Sequence, residues 1–258
     1  MPREGHGGKT LVVDYIDRDY RLRHRQEDLI HFRVAVRETD LDIGIRKERF
    51  NQGLVSLVER LVAEYRDQLE KYINTDPAFL KSLIPHDIMT DAPAIAAGMA
   101  DAARAAGVGP MAAVAGAISE AVGQKLLKHS RDVIVENGGD IFLRTRRIRN
   151  IGIFAGKSPL SHRIALEVQP DDTPVGICTS SGTVGHSLSF GCADAVVIVS
   201  PSAPLADAVA TAAGNLIHSR DDLEKAVNFA LSIQGIKGAV ALKDDKLAAM
   251  GRIKLVPV

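Results

Sequence analysis

The sequence has no excess of either charge: Lys and Arg number 32, as do Asp and Glu. Without a basic surplus there is no general attraction for nucleic acid or an anionic membrane surface, and neither is expected as a partner. No run of about 18 apolar residues is present, so no membrane-spanning helix is expected. The start, MPREGHGGKT, is polar and glycine-rich and lacks the apolar core of a secretory signal, which makes a cytoplasmic protein with a flexible 1–9 segment the expectation. Cysteine is scarce. Cys178 and Cys192 do not form a C-x-x-C pair and lie in apolar, strand-like contexts, so both are expected as buried thiols. The chain also lacks G-x-S-x-G and a Walker lysine loop, which leaves serine hydrolase and P-loop chemistry without a motif.

What is there suits a mixed α+β protein. Hydrophobic residues make up 46% of 258 and charged residues 25%, enough for one large domain over 1–258, with two interlocked halves dividing near 110–135 as the variant. Thr10 to Tyr15 reads as a strand. In His31 to Ile45, Phe32, Val34 and Val36 alternate with Arg33, Ala35 and Arg37 in the period of a half-buried sheet, with Glu38, Thr39 and Asp40 as the turn. Apolar residues from Phe50 to Tyr72 recur at steps of three and four, one face of a long helix. An alanine-rich helix is expected from Asp91–Pro93 to Ala106, stopped by Gly107 to Pro110, and a second from Met111 to Lys128. Gly116 and Gly123 inside the second imply close approach, either by packing against a sheet or, at Gly116, by a ligand against the backbone. Val133 to Val135 leads through Glu136, Asn137, Gly138, Gly139 and Asp140 into Ile141 to Leu143, where paired glycines mark a bulge, a backbone facing a ligand or a plain turn. Arg144 to Arg149 reads as a solvated strand face. Ile151 to Ala155, Arg163 to Val168 and Gly176 to Thr179 read as successive antiparallel strands. Asp221 to Ile233 is a helix, and Ala239 to Leu242 with Leu247 to Val256 a closing hairpin.

Chemistry concentrates between Val175 and Asn215, where glycines, small hydroxyls, a histidine and a carboxylate crowd between two strands and a helix start near Pro204. Asp207 and Thr211 stand one helical turn apart and can face one point, as a hard cation such as Mg²⁺ requires of its oxygen ligands. The alternative is that Asp207 complements a helix dipole while Thr211 bonds its own backbone. Thr179, Ser180, Ser181, Gly182 and Thr183 offer amides and hydroxyls that can curl around a phosphate or the edge of a heterocycle. A free histidine side chain titrates near neutrality, so His186 suits a general base or a substrate contact; the alternative is a structural role.

Several segments in the same order resemble the ApbE-type flavin transferases: AAVAGAISE at 112–120, ENGGDI at 136–141, TSSG at 179–182 and LADAVATA at 205–212. Taken together with SSGTVGHSLSFG, the sequence is most similar to an uncharacterised cytoplasmic family of ApbE-related proteins. The resemblance implies an α+β fold of the ApbE-like, T-fold type, a duplicated architecture of mostly antiparallel sheets with packed helices and a cleft between the halves. It implies Mg²⁺ at Asp207 and Thr211, with Ala113 or Val114 supplying a carbonyl, and a cleft formed by Gly138, Gly139 and Asp140. FAD or FMN is the implied ligand. The transferases carry a lysine where this chain has Ala115, and their His-x-x-Asp-Pro segment has only an approximate counterpart in His186. Transfer of FMN to a protein therefore does not follow. Two readings result: a Mg²⁺-dependent enzyme acting at phosphate on a nucleotide or flavin-like compound, with His186 as base or binder, and a non-catalytic binder of a flavin, pterin or related cofactor. Small-residue helices also suit assembly, including a homo-oligomer.

Overall fold

Alternating apolar residues build the first hairpin. β1 (Leu29–Val36) and β2 (Thr39–Arg46) pair antiparallel with Val36 opposite Thr39. The turn is therefore Arg37 and Glu38, with Arg37 at φ 54°, while Thr39 and Asp40 already belong to β2. The computed structural model describes residues 26–184 and 189–258, so the expected strand at Thr10 to Tyr15, the 1–9 segment and His186 lie outside the described residues.

The stripe at steps of three and four forms α1 (Gln52–Thr75), which buries Leu54, Val58, Val62, Leu69 and Tyr72. A short α2 (Pro77–Lys81) follows. α3 (Ala94–Ala106) is entered from Pro93 with no side-chain cap, so Asp91 does not cap it, and Gly107 ends it in the left-handed conformation at φ 74°. The expected helix from Met111 begins instead as a 3-10 turn, Pro110–Ala113, before α4 (Val114–Leu126).

Among the described residues, eight strands form one antiparallel sheet in the order β1-β2-β3-β4-β7-β8-β9-β10. Here β3 is Val133–Asn137, β4 Asp140–Arg144, β7 Val175–Ser180, β8 Ala195–Ser200, β9 Gly238–Lys243 and β10 Lys246–Gly251. A second sheet of three strands, ordered β11-β6-β5, comprises β5 (Arg149–Gly152), β6 (Ile164–Val168) and β11 (Lys254–Pro257). Two further helices are α5 (Ala203–Gly214) and α6 (Leu223–Ser232). The alternation of strand residues gives each face of the large sheet its own core. Ile43, Val135, Cys178 and Ile198 face the helices, whereas Ile134, Leu143, Ile177 and Val197 face the small sheet through Ile153 and Leu166. Gly123 lets α4 sit directly on the sheet, because a Cβ there would fall within the Phe142 ring.

The strands β1 to β4 and β7 to β10 each read strand, strand, helices, strand, strand, and the two runs join where β4 pairs with β7. That pairing corrects the expected chain of successive strands: β5 pairs with β6, but β7 leaves them for β4. The closing hairpin of β9 and β10 ends at Gly251, and β11 crosses to β6. Arg149 is buried at 3% exposure, in place of the solvated face expected of the basic run. Its guanidinium forks onto Asp28 at 2.5 and 2.8 Å and lies 3.6 Å from buried Asp132. Cys178 is buried, but Cys192 is exposed. Among the described residues no single helix is long and apolar enough to cross a membrane.

Candidate functional site

The site begins at the hairpin between β3 and β4. Gly138 at φ 67° and Gly139 at φ 106° form a two-residue turn, the conformation that paired positive φ values permit and that side-chain-bearing residues resist. The Glu136 carboxylate closes the turn by accepting the Gly139 N–H at 2.6 Å. Asn137 and Asp140 then stand opposite each other on the helix-facing side of the sheet. Asn137 donates its amide to the Ala115 carbonyl at 3.2 Å, and Asp140 accepts the Thr179 N–H at 3.2 Å. The glycine turn, the end of β7 and the start of α4 are thereby tied together.

Asp207 reaches the same place from α5. Its Oδ2 accepts the Gly116 N–H at 2.9 Å, so a carboxylate from α5 occupies the positive end of α4. Glu120 on α4 returns the arrangement, accepting the Ala203 N–H at the start of α5 at 2.6 Å. Gly116 permits the approach: a Cβ there would lie 2.5 Å from the Ala203 carbonyl and 2.9 Å from the Asp207 Cβ. The close neighbour at Gly116 is thus a second helix. Asp207 does complement a helix dipole, but that of α4; α5 is capped by Ser202, which accepts the Leu205 N–H at 3.4 Å.

From Ala206 to Gly214, α5 is buried at every position except Asp207 and Thr211, which keep partial access to solvent. One turn apart, they form the polar stripe of an otherwise apolar helix. Burial pushes the Asp207 carboxyl up to about 7, against the lowering effect of the Gly116 and Ala115 amides. Burial also raises Asp140 well above the usual carboxylate range, and the Asp207 charge adds to it. The Cys178 thiol, buried beside both, is raised by burial and then by the two carboxylates. Neither carboxylate has a cationic side chain among the leading causes of its shift. Their ionisation is a property of the pair, and the doubly charged form is disfavoured.

The hydroxyl loop divides. Thr179 spends its amide on Asp140, and Ser180 is half-buried with its hydroxyl beside Gly214 at the end of α5. Ser181, Gly182 and Thr183 turn the other way. The Ser181 hydroxyl accepts the Thr183 and Val184 amides at 3.1 and 2.9 Å, Gly182 N–H donates to Ala193, and the Thr183 hydroxyl donates to Asp194 at 3.2 Å. The amides expected to curl around a ligand are bonded within the protein at Gly182 and Thr183. Glu120, Cys178 and Asp194 lie within the segments 112–120 and 175–215 singled out in the sequence, but no site role was expected of them; a glutamate four residues after the helix glycine was the available signal for the first.

Among the described residues no cluster of three or more His, Cys, Asp and Glu side chains could by itself hold a metal. A metal here would draw on Asp207 with hydroxyl, carbonyl, water or substrate oxygens, the donor set of Mg²⁺. An open groove of about 510 Å³ lies elsewhere, between α6 and β10, and none of these residues lines it.

A family model described as AbpE bacteria matches residues 21–244. The UPF0280 protein of Methanococcus aeolicus is 38% identical over 230 residues, covering 87% of this chain and 91% of the relative. The UPF0280 protein of Methanocella arvoryzae is 41% identical over 222 residues, covering 86% and 88%. Among solved structures, the flavin transferase ApbE from Vibrio cholerae superposes with a TM-score of 0.57 at 15% identity, covering 86% of this chain and 96% of that one. The apo flavinyl transferase ApbE of Pseudomonas stutzeri gives 0.59 at 16% identity, with 86% and 94% covered. The α+β architecture of mostly antiparallel sheets with packed helices is shared with these ApbE structures.

Proposed function

The chain belongs to the AbpE bacteria family, and from that premise we propose that it is a Mg²⁺-dependent enzyme acting at phosphate on a nucleotide or flavin-like compound such as FAD or FMN. The observation that carries this reading is the pair of carboxylates, Asp140 and Asp207, set close in a buried place where neither readily bears its charge. A divalent cation between them and the substrate would reverse that penalty. The donors proposed for Mg²⁺ are hard oxygens: Asp207 and Thr211, a backbone carbonyl at Ala113 or Val114, and oxygens of the substrate. Bound Mg²⁺ would offset negative charge developing on phosphate oxygens.

The protein's own groups then have distinct work. Asp207 and Thr211 fix the cation end of the ligand. Gly138 and Gly139 bring backbone close to it without side-chain obstruction, and Asn137 holds the start of α4 in place through Ala115. Ser180 presents its hydroxyl toward the far end of α5. His186 supplies the candidate base, able to take a proton from an attacking water or alcohol near neutral pH. In hydrolysis of a diphosphate ester, water oxygen bonds to phosphorus, the bridging P–O bond breaks, and the base receives the water proton.

The test incubates purified protein with FAD and Mg²⁺ and follows FMN and AMP by chromatography. The expected result is Mg²⁺-dependent release of both, reduced at least about tenfold by Thr211→Val, which removes one metal-directed hydroxyl but keeps the side-chain shape. Release unaffected by chelator or by Thr211→Val contradicts the metal assignment. The second reading, a flavin or pterin binder without turnover, draws on Ala115 standing where the transferases carry lysine. Retention of unchanged ligand with no FMN or AMP released selects it.

A further inference from the structure

β10 closes one end of the large sheet, and among the described residues nothing pairs with its outer side. Ala249, Met250 and Gly251 are exposed, Met250 at 41%. An edge strand offers unpaired N–H and C=O groups to any other strand, and natural edges are blunted by proline, short length, bulges or inward-pointing charge. β10 has 6 residues in continuous register with β9, and from Leu247 to Gly251 it carries neither proline nor charge. It is an open template.

The phase of that template follows from the hairpin. Asp244 and Asp245 form a two-residue turn, so the flanking Lys243 and Lys246 exchange both backbone hydrogen bonds, and Ala248 and Met250 do the same with β9 further along. The Arg252 N–H continues the series by donating to the Lys237 carbonyl at 2.7 Å. Leu247, Ala249 and Gly251 therefore aim their N–H and C=O groups outward. Beside this row runs the groove of about 510 Å³ between α6 and β10, whose walls include Leu223, Val227 and Met250. Apolar walls next to free backbone are the geometry of strand addition, in which a new strand joins the ladder and its side chains enter the groove.

The charges choose the occupant. At one end of β10, Asp244 and Asp245 share the single guanidinium of Arg220, at 2.8 and 2.9 Å. At the other end, Arg252 is exposed and forms no salt bridge among the described residues. An antiparallel copy turned about a two-fold axis brings the acidic end of each strand to the basic end of the other. We propose that β10 pairs with β10 of a second copy of this chain, with the axis at Ala248. In that register Leu247 lies opposite the partner's Ala249, both of them outward residues, and Asp244 lies opposite the partner's Arg252. Met250 lies opposite the partner's Lys246, so each methionine enters the other copy's groove at the Leu223 end of α6. Moving the axis to Ala249 would instead set Lys246 against the partner's Arg252, and like charges facing each other across a ladder repel. The contact uses the same patch on both copies, so it covers both open edges and closes as a dimer.

Sedimentation equilibrium of the full-length chain tests the pairing. Wild type is expected to be a dimer at micromolar concentration. Ala249→Pro removes an outward N–H and leaves the ladder to β9 intact, and it is expected to weaken the dimer about a hundredfold with an unchanged circular dichroism spectrum. A disulfide test reads the register without relying on that variant. Facing residues of a non-hydrogen-bonded pair hold their Cα atoms about 4.5 Å apart, within reach of a disulfide. In a Cys192→Ser background, Ala248→Cys oxidised with copper phenanthroline is expected to give a covalent dimer, whereas Met250→Cys, which faces the partner's Lys246, is not. A monomeric wild type overturns the proposal, as does a dimer in which Ala248→Cys stays unlinked.

Discussion

Asp207→Asn is expected to raise the melting temperature of the metal-free protein at pH 8 while abolishing its stabilisation by Mg²⁺. The sign follows from proton linkage. Burial raises the Asp207 carboxyl from 3.8 to about 7, so between those values the folded protein holds a proton that the unfolded chain has released. Its contribution to stability is complete below about pH 4 and is lost as pH rises through 7. Keeping the charged form in that place at pH 8 costs at most roughly 4 kcal/mol. Asp140 is displaced in the same direction. Asparagine removes the charge and can still present an oxygen to the Gly116 N–H. It forfeits the attraction between a carboxylate and the α4 N-terminus, about 1 kcal/mol and at most about 2, which is the smaller effect. Thermal melts at pH 5 and pH 8, with EDTA or with Mg²⁺, read both halves of the expectation. Wild type should respond to Mg²⁺ more strongly at pH 8 than at pH 5, and the variant at neither. A variant less stable than wild type at pH 8 without metal would mean that Asp207 serves α4 as a cap and little else.

Arg149→Met is expected to lower unfolding free energy by about 3–5 kcal/mol, the scale for removing one partner of a buried ion pair. Arg149 joins three parts of the chain: Asp28 before β1, Asp132 before β3, and Thr145 after β4, whose hydroxyl accepts its Nε–H at 3.1 Å. Methionine fills much of the volume but leaves Asp132, itself 2% exposed, with the Thr145 hydroxyl, the Arg146 amide and a 3.6 Å approach from Arg46 in place of a full counterion. The Arg149 guanidinium also holds the Asp28 carboxyl below its ordinary range. Removing it returns Asp28 toward 3.8, so the stabilisation that wild type loses as pH falls through the lowered value should be absent from the variant. Urea unfolding at pH 7 and pH 3.5 measures both effects. A loss under about 1 kcal/mol at pH 7 would show that the cluster contributes little net energy.

Local pattern carried much of this architecture, and long-range pairing was where it stopped. The three-and-four spacing of α1 and the Gly138–Gly139 hairpin are dictated by residues near one another in sequence, and both stand in the structure. The partner of β7 is not so dictated. A strand pattern at Val175–Ser180 says which side chains alternate, not that β5 and β6 leave for another sheet and return the chain to β4. Arg149 misled for a related reason: in a basic run it looks solvated, and only its remote carboxylates make burial tolerable. In the candidate site, the stripe of Asp207 and Thr211 was legible from helical spacing. The use of Gly182 and Thr183 amides was not, since composition shows that a loop has donors but not whether they face inward. Nor could helical spacing indicate that Asp207 would serve the end of another helix.

The most direct test is crystallographic. Crystals soaked in Mn²⁺ at pH 8, measured at a wavelength where manganese scatters anomalously, should show one strong peak within bonding reach of the Asp207 carboxylate and the Thr211 hydroxyl, on the side facing Asp140. Asp207→Asn crystals treated alike should lack it. An empty map at this place in wild type, with the Gly116 amide still bound to Asp207, would contradict the metal-centred account and leave the carboxylate as a helix cap.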